Sequence, residues 1–85
     1  VDEFIGKSVV VDVESPFVFV GRLQAVLDKS LLLKNADAHD LRDSTTTREQ
    51  YIREAQLHGV QANRKLVHVR LEKVVSVSLL DDVIG

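Results

Sequence analysis

The sequence predicts a mainly β domain: a small five-stranded, strongly bent open barrel with one short inserted helix. Three observations point there. Alternating apolar residues recur in two blocks on either side of a polar middle. One run, Phe17 to Leu27, is too long for a straight strand over a small core and carries Gly21 at its centre, where a glycine marks a bulge or sharp bend. The chain has 85 residues, enough for one domain spanning 1–85 but too few for two sheets covering one another, so a curled sheet is the natural solution.

The elements follow in order. From Ser8 to Glu14, Val9, Val11 and Val13 alternate with Ser8, Asp12 and Glu14, which gives one buried face; only Val10 breaks the pattern. Ser15-Pro16 is a turn. In the long second strand Phe17, Phe19, Leu23 and Leu27 face one way, and Val18, Val20, Arg22, Gln24 and Val26 the other. Asp28-Lys29-Ser30 turns the chain into a short third strand, Leu31 to Lys34. The segment from Asp37 to Asp43 is polar and without period, and reads as a loop. Residues 44–49 carry a capping box, with Thr46 as N-cap and Glu49 three residues on, and Asp43 and Ser44 approaching the helix start. A helix from Thr47 to His58 follows, stopped by Gly59; its apolar stripe of Tyr51, Ile52 and Ala55 is narrow, so it should lie on the barrel or on a neighbour. Two β-branched strands close the chain, Leu66 to Leu71 and Val74 to Leu80, separated by Glu72-Lys73.

Composition excludes several classes. The apolar fraction of 45% and net charge of -2 rule out disorder. With no cysteine there is no disulfide scaffold, thiol nucleophile or zinc-thiolate site. No apolar run approaches the ~18 residues of a membrane span, and no signal segment opens the chain, so a cytoplasmic location without membrane attachment is the expectation. The pI near 5.9 argues against a generally basic nucleic-acid coat but leaves room for a local basic site. Open strand edges are an aggregation liability unless another chain covers them, so self-association is expected from the strand pattern alone.

The order of features resembles the Sm/LSm family, which includes Hfq. Ile5-Gly6-Lys7-x-Val9-x-Val11 resembles the opening of that family's first strand. Gly21-x-Leu23-x-x-Val26-Leu27-Asp28-x-x-Leu31-x-Leu33 resembles its first motif, and Val67-x-Val69-Arg70-x-x-x-Val74-Val75-x-Val77 its second. The resemblance covers residues 5–35 and 66–79. It implies a bent five-stranded barrel that joins edge to edge into a homo-oligomeric ring and often binds single-stranded RNA. The departures are specific. Where the family commonly has a base-stacking side chain and an Asn that reads uracil, this chain has Ser30, which cannot stack, and Leu32, which has neither donor nor acceptor for a base edge. Leu71 stands where glycine is usual, and the helix before the first strand is absent or shortened to Val1–Phe4. A long insertion at about 36–65 separates the third and fourth strands.

Under that resemblance the nucleic-acid candidates are Lys29, Ser30 and Arg70, on two turns that converge on the opening of a ring. Repeated by every subunit, they sum to a positive rim. The other reading of Arg70 is structural, as a partner of Asp28 or of a neighbouring chain. The interface candidates are Leu66, His68, Arg70, Val75, Val77 and Leu79, with the last strand of one copy pairing with the fourth strand of the next. Asp37, His39, Asp40 and Asp43 are the only dense cluster of metal-ligand types, and capping and helix-dipole chemistry is the plainer account of them. No metal or other cofactor is expected. Thr45-Thr46-Thr47 lacks a base or oxyanion site, and nothing in the chain assembles a catalytic constellation. Arg64-Lys65 is the sole basic doublet. Two functions remain open: a ring that binds single-stranded RNA, and a non-enzymatic structural or protein-interaction ring whose helix contacts a partner.

Overall fold

The computed structural model describes residues 1–43 and 45–84. Five strands, β1 (Ser8–Val13), β2 (Phe17–Val26), β3 (Ser30–Asp40), β4 (Arg64–Arg70) and β5 (Val74–Leu79), form one sheet in the order β4-β3-β2-β1-β5, every pairing antiparallel. One helix, α1 (Arg48–His58), lies between β3 and β4. Short 3₁₀ turns cover Asp2–Phe4, Leu41–Asp43, Leu71–Lys73 and Leu80–Asp82. Among the described residues no helix is long and apolar enough to cross a membrane.

The sheet bends because it closes over its own apolar face. Val9, Val11, Leu23, Leu31, Leu33, Ala36 and Val69 form a buried cluster, with Val67 of β4 and Val74, Val77 and Leu79 of β5 packed against it. Strands at opposite ends of one sheet meet in a single core only if the sheet curls. The turn before β5 lies against β1, since Glu14 N–H donates to the Lys73 carbonyl at 2.8 Å. β4 and β5 are nonetheless not paired with each other, so the barrel stays open.

The break at Val10 has a physical cause on the other face. Val10, Val18 and Val20 point outward and are buried beneath Ile52 and Ala55 of α1, with Leu80 completing a second apolar cluster. The narrow stripe of α1 therefore caps its own barrel. Arg48 pairs with Asp12 of β1, and Gln56 Nε2 donates to the carbonyls of Leu80 at 3.0 Å and Val83 at 2.9 Å.

Three expectations are corrected. β3 does not stop at Lys34 but runs to Asp40, so the stretch that reads as an aperiodic loop is strand. Asn35, at φ 50°, shifts the register opposite Gly21, after which Val20 pairs with Asp37 and Phe17 with Asp40. The polar residues Asp37 and His39 meet Tyr51 of the covering helix instead of solvent or an apolar core, which hides the alternation. In consequence the connection between β3 and β4 is residues 41–63, shorter than the expected 36–65. The helix cap is Thr47, not Thr46: its Oγ1 accepts from Gln50 N–H at 3.1 Å while the Gln50 side chain accepts from Thr47 N–H at 3.0 Å. The expectation for Ser44 lies outside the described residues.

Candidate nucleic-acid interface

Two reversals build the site. At the β2–β3 turn, Leu27 N–H donates to the Ser30 carbonyl at 2.8 Å, which leaves Asp28 and Lys29 at the exposed tip. At the β4–β5 turn, Leu71 N–H donates to the Lys29 carbonyl at 3.0 Å. Ser30 and Arg70 are direct cross-strand partners. The structure thus brings Lys29, Ser30 and Arg70 together at one end of the barrel, and the reason is the β3–β4 register.

Two of these side chains, Ser30 and Arg70, are already engaged. Arg70 Nε lies 3.0 Å from Glu72 Oε1, both side chains well exposed, so its partner is neither Asp28 nor a position that burial would force. Ser30 Oγ and His68 Nδ1 are 3.2 Å apart, which places His68 in a contact within its own chain. Lys73 completes the set: three cationic residues (Lys29, Arg70, Lys73) stand beside two anionic ones (Asp28, Glu72). The Ser30–His68 contact escapes sequence reasoning because it depends on the β3–β4 register; Glu72 is a local partner, two residues from Arg70 across a tight turn, and that short spacing is its signal. Next to Arg70 a cavity of about 300 Å³ is lined mainly by apolar surface from Val13, Phe19 and Val69.

The interface candidates fall on the two free edges. Leu66 and Val75 are more than half exposed, at 55% and 66%. Val77 and Leu79 are half-buried against the core, and His68 and Arg70 are exposed. Among the described residues β4 is hydrogen-bonded only to β3, and β5 only to β1.

The acidic cluster does not converge. Tyr51 Oη donates to Asp37 Oδ2 at 2.5 Å, and burial together with this bond pushes the Tyr51 phenol above its usual range, so it remains a donor. His39 stacks on the Tyr51 ring at 3.8 Å and 4°. Asp40 instead takes Arg42 in a two-pronged contact, at 3.0 and 2.9 Å, which holds its carboxyl below the usual range. Among the described residues no group of three or more His, Asp or Glu side chains is placed to hold a metal ion.

This architecture is the Sm fold. The chain is similar to the Sm protein of Pyrococcus abyssii, solved in complex with a uridine heptamer, at 19% identity over 91% of this chain and 87% of that one, with a TM-score of 0.61. It is similar to the P. aerophilum SmAP1 heptamer at 24% identity over 98% and 86% of the two chains, with a TM-score of 0.60. A chain of the NatC complex, solved bound to CoA, matches at 22% identity over 91% and 79%, also with a TM-score of 0.60. No protein-family model and no curated protein matches the sequence.

Proposed function

We propose that the chain is a non-enzymatic Sm-like module that joins copies of itself head to tail through β4 and β5 into a closed ring, and that the ring contacts single-stranded RNA through Lys29 and Arg70. The observation that carries the reading is the pair of free edges ending one five-stranded sheet, with Leu66 on one and Val75 on the other exposed. Two different surfaces of one chain that fit each other make a heterologous contact, which gives a ring when the rotation between copies closes. The uridine-bound and heptameric neighbours of the same fold support both parts.

RNA binding here rests on charge. Ser30 is held by His68, and Leu32 offers no base-reading group, so contacts to phosphate supply the affinity. Binding should fall steeply with salt and show little preference for uridine. The test is native mass spectrometry for the assembly mass, followed by fluorescence anisotropy with labelled U-rich and A-rich oligonucleotides across salt. A folded monomer near 9.5 kDa at micromolar concentration overturns the ring. Salt-insensitive, uridine-selective binding overturns the proposed contacts.

The Arg70–Glu72 pair favours a second reading, because it cancels much of the rim's positive charge. In that reading the ring, or a mixed assembly as the NatC neighbour suggests, binds protein only. An intact ring that binds no oligonucleotide at moderate salt selects it.

A further inference from the structure

The ends of the two free edges carry opposite charge. β4 begins with Arg64 and Lys65, and β5 is followed by Asp81 and Asp82. All four are exposed, and none makes an ion pair among the described residues; Arg64 only donates from Nη1 to the neighbouring Asn63 carbonyl at 3.1 Å. Four such side chains at the two ends that must meet in a ring are unexplained by the fold of one chain.

We infer that Arg64 and Lys65 of one copy form a charge clamp with Asp81 and Asp82 of the next, which sets the direction and register of the β4–β5 seam; the inference rests on the ring reading above. Direction follows from charge. Antiparallel addition, the mode of every pairing in the sheet, brings the start of β4 to the end of β5 and so basic to acidic. Parallel addition would set Arg64 and Lys65 beside Lys73, and Asp81 and Asp82 near Glu72, like against like.

Register follows from the pleat. Val67 and Val69 of β4 face the barrel interior, as do Val77 and Leu79 of β5. Residues opposite one another in an antiparallel pair share a face, so the seam must match these sets. Placing Val67 against Leu79 and Val69 against Val77 continues the apolar core from one copy into the next. The same alignment carries Arg64 and Lys65 past the last pair of β5, beside the 3₁₀ turn Leu80–Asp82 that holds Asp81 and Asp82. A slip of one residue would put the valines against Ser76 and Ser78 in one direction, or Val69 against Ser78 in the other, so apolar pairing and charge pairing favour one register together.

The test uses charge reversal in the full chain, read by native mass spectrometry and light scattering at about 50 mM salt, with circular dichroism to verify folding. R64E/K65E makes both edges acidic, and D81K/D82K makes both basic. Each should weaken assembly by roughly tenfold or more, since two exposed pairs are removed and like charges replace them. The quadruple variant R64E/K65E/D81K/D82K should recover the wild-type ring. An equimolar mixture of the two double variants should assemble where neither does alone, because unlike copies make compatible seams; an even-membered ring would hold equal numbers of each, and an odd-membered one would keep a single like seam. Doubles that assemble like wild type, or a quadruple no better than the doubles, overturn the clamp while the wild-type ring still stands. A wild type that stays monomeric overturns the ring reading itself, and the clamp with it. Doubles that fail to fold alone leave the mixture and the quadruple to decide: neither regaining a ring overturns the clamp.

Discussion

Gly21→Ala sets two opposing effects against each other, and the structure decides the sign. Gly21 does not occupy the left-handed region, so alanine fits its backbone, and the loss of unfolded-state freedom alone would stabilise the fold by about 0.5–1 kcal/mol. Space opposes this. A Cβ at Gly21 would lie 2.7 Å from Ala36 Cβ, 2.8 Å from Ala36 Cα and 3.3 Å from the Lys34 carbonyl oxygen. Carbon atoms settle at about 3.5–4.0 Å, so β2 and β3 would have to part by roughly 0.8 Å. They would part where the Asn35 bulge already interrupts the ladder between Val20–Asp37 and Arg22–Lys34. Ala36 is fully buried and its Cα belongs to the backbone, so no flexible side chain can yield. Overpacking of this kind costs about 1–3 kcal/mol, and the net loss should be about 1–2 kcal/mol after the entropic gain. In a domain of this size that lowers the melting temperature by roughly 5–15 °C. Urea unfolding followed by circular dichroism measures it. Adding Ala36→Gly removes the 2.7 Å approach but not the 2.8 Å one, so the double variant should recover part of the loss relative to Ala36→Gly alone. A Gly21→Ala protein as stable as wild type would refute the reasoning.

Three further outcomes are expected. Tyr51→Phe leaves the Asp37 carboxylate, which is nine-tenths buried, without its donor, and should cost about 1–3 kcal/mol in urea unfolding at neutral pH. The Asp40–Arg42 pair depresses the Asp40 carboxyl, so its stabilisation is present above about pH 4, the unfolded value, and fades as pH falls through the lower folded value. Melts of wild type and Asp40→Asn should therefore differ at pH 7 and converge in strong acid. Arg70→Ala should weaken oligonucleotide binding and flatten the salt dependence by about 0.7 for each phosphate of a single strand that the variant no longer neutralises, with the ring mass measured alongside to separate a rim role from a seam role. An unchanged slope would remove Arg70 from the interface.

Much of the fold is written in local pattern. The valine alternations, the turn at Ser15-Pro16 and the β-branched pair of strands at the C-terminal end depend only on which residues face inward along one strand, a period of two that neighbours in sequence display. The helix is legible for the same reason, within one residue of its cap. The site was legible in part. That Lys29, Ser30 and Arg70 gather at one end follows from placing two turns side by side, and the observed Ser30–Arg70 register agrees.

What the sequence could not decide was contact between segments far apart in the chain. Asp37 and His39 read as loop residues because polarity normally means solvent, yet in the fold they pair with Val20 and Val18 of β2 and Tyr51 covers both. Val10 reads as an irregularity until α1 is laid on the outer face of β1 and β2, giving the sheet a second buried side. The charged ends of β4 and β5 become a complementary pair only when both are seen as free edges of one sheet. Local propensity reports the environment that a residue prefers; which neighbour supplies that environment is settled by tertiary packing, because burial and register are properties of the assembled sheet.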